Sequence, residues 1–234
     1  MIFKKNDINI FEYAKAEEWL PNLEPTRLSV PDWWKDGFLW NGGKPEINNY
    51  SSNKGMKACV PFLDSMLSGY TIKLWTDCMV ELDNGIKKIS WMHSPDPIES
   101  RSETGYSTIP VPVGCDKEEF TWKLPYYLKT PKGYSFILTH PFNRNELPFF
   151  SLTGLVDAES TMQPGRYPFF FKTGFTGLIP AGTPIAQIIL IKRDKWKIKE
   201  NKEIIKEGDL LRNRSISVIS GYYKKNLHKP KSFE

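Results

Sequence analysis

The sequence predicts a mainly β protein, built as a sandwich or barrel of short strands with an N-terminal arm and short C-terminal helices. Two observations favour this fold class. The 234 residues include 18 Pro and 16 Gly, spread along the chain so that strands of roughly five to eight residues fit between them more easily than long helices. Short apolar runs with period-two alternation also recur between turn signals, a pattern typical of all-β domains.

Residues 1–56 are predicted to form the N-terminal arm. The apolar positions of residues 11–20 have the spacing of a short amphipathic helix. Residues 31–56 contain several Gly, Asn and Ser and predict a long surface loop. Three Trp side chains lie in this loop: Trp33, Trp34 and Trp40. Because Trp is a common anchor in protein interfaces, we expect these side chains to contact a neighbouring subunit.

Residues 57–192 are predicted to form the β domain. Its best strand pattern covers Tyr70–Leu82, where side chains alternate between a buried and an exposed face. This run leads into Asp83-Asn84-Gly85, a sequence suited to a tight hairpin turn, and the return strand is expected at Ile86–Met92. Further strand-like runs follow between turn signals: Phe120–Leu124, Tyr134–Thr139, Phe149–Val156, Tyr167–Lys172 and Pro184–Lys192.

Residues 193–234 are predicted to form a basic helical extension, with helical pieces around 200–213 and 215–227. From Lys192 to the end, the chain carries 13 Lys or Arg against 6 Asp or Glu, a net charge of +7, whereas the other 191 residues carry a net charge of −2. Two aromatic side chains interleave with the basic ones: Tyr222 and Tyr223. This pattern suits an acidic partner surface, a subunit contact or a nucleic acid, and a solvated helix face is the plainer interpretation.

Composition argues against several classes of protein. No stretch approaches the roughly 20 uninterrupted apolar residues of a membrane span, and the first residues lack the apolar region of a signal peptide. The three Cys make neither an even disulfide framework nor a Cys-x-x-Cys pair. We therefore expect a soluble protein, made inside a cell, with reduced thiols.

Motifs for metal binding and nucleophilic catalysis are also missing from the sequence. The three His are widely separated and show none of the spacings of a zinc or iron site. There is no Gly-x-Ser-x-Gly, no P-loop and no Gly-x-Gly-x-x-Gly. From the motifs alone we expect no metal and no cofactor, and we favour a protein that is not an enzyme.

Two segments resemble the dUTPase and dCTP deaminase superfamily. Gly154-Leu155-Val156-Asp157 is similar to its Gly-(Val/Ile)-(Ile/Val)-Asp turn, and the run from Gly177 to Ile189 is similar to its Ile-x-x-Gly-x-x-Ile-Ala-Gln strand. The resemblance covers about residues 135–192. It implies a distorted jelly-roll β-barrel that commonly assembles as a trimer.

By this resemblance, Asp157 matches the acidic residue that contacts the sugar and orients the attacking water in dUTPases, and Gln187 matches the glutamine near the phosphates. Arg144 is a cation suited to an anion, and Mg²⁺ would be the cofactor of such an enzyme. The chain departs from the family because the Arg-Ser-Gly phosphate-binding segment and the Gly-rich C-terminal segment are both missing. These losses favour a barrel that keeps the fold without the chemistry. The plainer interpretations are that Asp157 caps a turn and that Gln187 pairs with backbone groups inside the barrel.

A longer resemblance, over about residues 57–234, is to a family of tailed bacteriophages and some bacteria that is defined only as a domain of unknown function. It implies a phage origin without an activity. The segments that carry it are Cys59 to Tyr70, Thr130 to Ser135, Thr139 to Asn143, Gly182 to Gln187 and Lys192 to Trp196.

Two main hypotheses remain. The first is a non-catalytic structural or interaction protein of a phage, located in the virion or the host cytoplasm, which forms a homo-oligomer such as a trimer or binds other phage proteins. A host-directed inhibitor is a variant that nothing in the sequence separates from it. The alternative is an enzyme that binds or hydrolyses deoxynucleotides, with Asp157 acting as, or positioning, the general base. Nucleic-acid binding through the basic C-terminal segment stays open, and no membrane contact is expected.

Overall fold

The computed structural model describes residues 9–39, 55–101, 109–161, 164–217 and 223–234. The contacts within the chain divide it into two compact units. One unit, called the β unit here, comprises Met1–Ser29 and Gly69–Arg193, and the second unit comprises Val30–Ser68 and Asp194–Glu234.

The β unit contains the strands of the described chain, and the prediction of a mainly β protein is confirmed. The strands are β1 Glu12–Lys15, β2 Glu24–Pro25, β3 Tyr70–Lys73, β4 Cys78–Asp83, β5 Ile86–Trp91, β6 Ile98–Ser100, β7 Phe120–Lys123, β8 Tyr126–Lys129, β9 Tyr134–Thr139, β10 Phe149–Ser151, β11 Gly154–Val156, β12 Arg166–Phe171, β13 Gly177–Ile179 and β14 Pro184–Lys192. They form four antiparallel sheets with the orders β1-β8, β10-β12-β7-β6, β11-β9-β14-β3-β2 and β13-β4-β5. The described strands do not close into a single barrel.

Strand β14 lies at the centre of the five-stranded sheet, between β9 and β3. On β14, Ala186 and Ile188 are fully buried on the face that meets the core. On the neighbouring strand β9, Phe136 is fully buried and Leu138 is nearly so. The near-continuous apolar run of β14 therefore reflects a strand with partners on both edges and a packed inner face. The predicted bounds of β9 and β14 are both confirmed.

Aromatic side chains fill the core beside the four-stranded sheet. Phe169 on β12 stacks on Trp122 of β7 with ring centroids 4.1 Å apart, and both are fully buried. The indole N–H of Trp122 donates to the hydroxyl of Ser151 over 3.1 Å, and that hydroxyl donates to the carbonyl of Ile185 over 3.1 Å. The indole N–H of Trp122 and the hydroxyl of Ser151 are thus both paired, which avoids the penalty of leaving these buried groups unsatisfied.

The predicted hairpin at residues 83–85 is confirmed. Strands β4 and β5 pair from Cys78↔Trp91 to Asp83↔Ile86, so only two residues form the turn. Those two, Asn84 and Gly85, have φ angles of 51° and 82°. Positive φ at both central positions is what a tight hairpin turn requires, and Asn and Gly accept it at the lowest cost.

Two predicted strands are each divided between two sheets. The run Tyr70–Leu82 becomes β3, which pairs with β14, and β4, which pairs with β5 and β13. Between them, the backbone of Leu74 bonds to Gly182 and Thr183, just before β14, with N···O distances of 2.7 and 2.8 Å. The run Phe149–Val156 becomes β10, which pairs with β12, and β11, which pairs with β9. Each break lets one stretch of chain serve two sheets.

The prediction of a helix over residues 11–20 is wrong. Residues Glu12–Lys15 form β1, which pairs with β8, and the ring of Phe11 packs against Tyr70 and Phe136 with centroids 5.8 and 6.1 Å apart. The backbone of this segment finds its hydrogen-bond partners more than a hundred residues away, and tertiary pairing overrides the local helical spacing.

The second unit contains three α-helices among its described residues: α1 Asp32–Asp36, α2 Val60–Leu67 and α3 Ile204–Ser217. A single π-helical turn follows at Tyr223–Leu227. The C-terminal segment is tied to α2, because Asp64 accepts hydrogen bonds from His228 and Lys231 at 3.0 and 2.5 Å. In the part of the chain that is described, no helix combines the length and apolar character needed to cross a membrane.

We predict that Gly69→Ala destabilises the protein strongly, by about 3 kcal/mol or more. Gly69 has a φ of 73°, and a Cβ at this position would overlap the carbonyl oxygen of Ile188 on β14. Gly174 is the matched control, since its φ is 72° but a Cβ there meets nothing within 4 Å. Denaturant unfolding gives the loss of unfolding free energy in each variant. The loss in Gly174→Ala reports the strain of a positive φ alone, and the additional loss in Gly69→Ala reports the overlap with Ile188. Equal losses in the two variants would contradict the close approach of Gly69 to β14.

Candidate functional site

Gln187 lies in the middle of β14 and is buried. Its side-chain oxygen accepts a hydrogen bond from the backbone N–H of Phe142, with an N···O distance of 2.9 Å. Phe142 belongs to the loop between β9 and β10, residues 140–148. The amide of Gln187 therefore holds this loop against the central strand.

Arg144 lies in the same loop and also binds protein groups. Its guanidinium donates to the backbone carbonyl of Ser29 over 3.1 Å and forms an ion pair with Glu146. The side chain is largely buried. Arg144 thus connects the loop to the chain segment that follows β2, and its guanidinium is engaged on two sides.

His140 anchors the start of the loop. Its ring is buried and stacks on Phe150 with centroids 5.0 Å apart. The backbone N–H of Ser151 donates to Nδ1 over 3.3 Å, so Nε2 carries the proton that is donated to the carbonyl of Arg144 over 3.1 Å. Burial lowers the pKa of His140 because the charged form loses its hydration.

Asp157 follows β11 and is open to solvent, with 71% of its side chain exposed. Its carboxylate accepts a hydrogen bond from the hydroxyl of Ser135 over 2.5 Å and lies 3.5 Å from the guanidinium of Arg193. Arg193 also pairs with Glu159, and its backbone N–H donates to the carbonyl of Gly133 over 2.8 Å. Asp157 is therefore part of the ion-pair group at the end of β14.

The structure brings Arg144 and Gln187 to one loop and places Asp157 elsewhere along the sheet. Asp157 is bonded to Ser135, near the start of β9, whereas Gln187 is paired with Thr139 at the end of β9. Four residues of strand separate these positions, about 13 Å at the usual rise. Asp157 and Gln187, the two residues matched by the resemblance, therefore lie beside opposite ends of β9.

The predicted interface side chains have different surroundings. Trp34 is buried within the second unit and stacks on Phe62 with centroids 5.5 Å apart. Trp33 and Tyr223 are each 42% exposed. Trp40 and Tyr222 lie outside the described residues.

A cleft in the β unit was not predicted from the sequence. It has a volume of about 520 Å³ and is lined by Trp19, Trp75, His93 and Ser94. These residues follow β1, β3 and β5, so three separate chain segments build it. The high Trp content was the only signal available, and it does not tell which indoles share a cavity.

Comparison with known proteins returns no matching family model and no matching curated protein. Among the side chains that the structure describes, no group of three or more His, Cys, Asp or Glu is arranged to hold a metal ion.

We predict that acidification weakens the fold through His140. The unfolded chain binds a proton on this ring near pH 6.5, whereas the folded chain binds it only at lower pH. Protonation below pH 6.5 therefore favours the unfolded state, and the free energy of unfolding falls by up to about 1.4 kcal/mol per pH unit for this one proton.

Denaturant unfolding between pH 7 and pH 5 checks this expectation. His140→Asn should be less stable at pH 7 but show a smaller loss on acidification than the wild type. The control is His93→Asn, which alters an exposed imidazole outside this loop. Identical slopes for His140→Asn and the wild type would contradict the assignment.

Proposed function

We propose that this chain is a non-catalytic structural or interaction protein of a tailed bacteriophage, a component of the virion that assembles from copies of itself. We also propose that its β unit is a dUTPase-like jelly roll. The observation that carries the functional proposal is an exposed apolar and basic stretch, residues 195–210, called the contact segment here.

The contact segment exposes large apolar side chains. Trp196 is 88% exposed and Ile198 is 98% exposed. They alternate with basic residues in a stretch without regular secondary structure: Lys195, Lys197 and Lys199. Ile204, Ile205 and Leu210 on α3 are also exposed. Exposed Trp and Ile with flanking cations are typical of a protein interface, where apolar groups provide affinity and charges provide orientation.

A second copy of the chain is the partner that we propose for the contact segment. The chain from Lys192 onward has a net charge of +7, whereas the remaining residues have a net charge of −2. Attraction between the basic chain from Lys192 onward in one copy and the weakly acidic remainder of another copy favours their approach. The part of the contact segment without regular structure can also pair, as an additional strand, with the edge of a sheet in the other copy.

The contacts of Gln187 and Arg144 support a non-catalytic role. Gln187 binds the backbone of Phe142 and Arg144 binds the backbone of Ser29, so a nucleotide would have to displace both hydrogen bonds. We therefore interpret these two residues as parts of the scaffold.

We predict that the purified protein is an oligomer and that Trp196→Ser with Ile198→Ser converts it to a monomer. Light scattering after size-exclusion chromatography measures the mass directly. The control variant replaces Ile86 and Val113, two exposed apolar residues of the β unit, by Ser and should leave the mass unchanged.

A monomeric wild type, or an oligomer unaffected by the contact-segment variant, would contradict the proposed contact. The virion assignment has its own test. Purified particles should contain the protein in fixed stoichiometry, and finding it only free in infected cells would contradict that assignment.

The alternative is a deoxynucleotide-binding or hydrolysing enzyme, and one observation favours it. The carboxylate of Asp157 is open to solvent beside Arg193, so a ligand with Mg²⁺ could reach both. Our proposal predicts no hydrolysis when the protein is mixed with dUTP or dCTP and Mg²⁺. Turnover that is lost in Asp157→Ala would establish the alternative instead.

A further inference from the structure

The cleft of the β unit presents two indole surfaces of different character. Trp75 forms a buried part of the lining, with only 6% of the residue exposed, and its N–H donates to the carbonyl of Pro95 over 2.9 Å. Trp19 is 51% exposed and meets the ring of His93 edge to face, with centroids 6.2 Å apart. The cleft therefore offers aromatic surfaces, one of them in a fixed position.

Hydrogen bonds hold the segments around these rings. The ammonium group of Lys15 donates to the carbonyls of Glu18 and Leu20 at 2.6 and 3.0 Å, which fixes the turn that carries Trp19. On the other side, the carboxylate of Asp96 accepts from the indole of Trp91 over 3.2 Å. A cleft held in this way requires little ordering when a ligand binds.

His93 and Ser94 supply the polar groups of the lining. Neither side chain forms a hydrogen bond to another described residue. The imidazole and the hydroxyl can each donate and accept. Two adjacent groups with this capacity suit the edge of a ring that presents both donors and acceptors.

We propose that this cleft binds an uncharged nitrogen heteroaromatic ring of the nucleobase type. The ring would lie against the indoles of Trp19 and Trp75, with its polar edge at His93 and Ser94. A volume of about 520 Å³ is within the usual range for small-molecule sites. Base stacking on Trp is a general source of affinity for nucleobases.

The lining favours this class over other ligands. Among the residues that the structure describes, the lining contains no Lys or Arg to hold a phosphate and no carboxylate to hold a cation. A sugar ring presents hydroxyls around its whole edge, and two polar side chains can pair with only a part of them. An uncharged flat ring with one polar edge matches the lining best.

The nucleobase could belong to a free nucleoside or to a single-stranded nucleic acid, since both present the same chemistry. The proposal does not depend on the contact segment, because all four lining residues belong to the β unit. An experiment that contradicts the proposed contact segment therefore does not contradict the proposed ligand site, and the reverse is also true.

Isothermal titration with uridine, cytidine, adenosine and guanosine, and with unstructured oligonucleotides, tests the site. We expect binding of at least one of these probes. Trp19→Ala should weaken it about fivefold or more, as expected for loss of a stacking surface. Trp33→Ala is the matched control, because Trp33 is 42% exposed but belongs to the second unit.

The two probe sets distinguish the source of the base. Binding of nucleosides that depends on Trp19 supports a free ligand, and binding of oligonucleotides alone with the same dependence supports a nucleic acid. His93→Ala provides a second variant if Trp19→Ala fails to fold. Failure of the wild type to bind any probe, or binding that neither cleft variant weakens, would overturn the proposal.

Discussion

Strand β14 places a buried amide at the centre of a sheet, and the β unit depends on how that amide is paired. A buried polar side chain without a partner costs about 1–3 kcal/mol, so the backbone of the neighbouring loop has to approach Gln187. The hydrogen bond from Phe142 meets this requirement. It also fixes the loop in which Arg144 reaches Ser29 and His140 is buried against Phe150. One buried amide thereby helps to determine the positions of Arg144 and His140 in the neighbouring loop.

The sequence was sufficient to predict elements whose signals are local. Strands β9 and β14 have continuous patterns between turns, and the Asn84-Gly85 turn carries its own requirement for positive φ. The helix expected at residues 11–20 is wrong because the partner of that segment is β8. The division of Tyr70–Leu82 reflects different partner strands, β14 for β3 but β5 and β13 for β4, which no local pattern indicates.

The candidate site shows the same limit. A resemblance in short motifs selected Gln187 and Asp157, and the charge of Arg144 suggested an anion site. Neither signal contains information on Ser29, Phe142 or Arg193, which are their partners. The cleft could not be predicted from the sequence, for another reason. Its Trp and His residues come from three segments, and only the fold brings their rings to one cavity.

These observations together describe a scaffold with two surfaces available for binding. The contact segment combines exposed Trp196 and Ile198 with three neighbouring Lys side chains and suits another protein surface. The cleft has an uncharged aromatic lining and suits a small flat ring. The two surfaces belong to different compact units of the chain. A substitution in one surface therefore does not remove a residue of the other.

We interpret Gln187 as part of the scaffold and not as a group available to a nucleotide. Hydrogen exchange of the Phe142 amide, followed by NMR with and without dUTP and Mg²⁺, measures this most directly. We expect slow exchange, comparable to that of the amides in β14, and no change on adding the nucleotide. Rapid exchange of this amide, or protection that changes when the nucleotide is added, would show that the side chain of Gln187 is available to a ligand and would contradict the account.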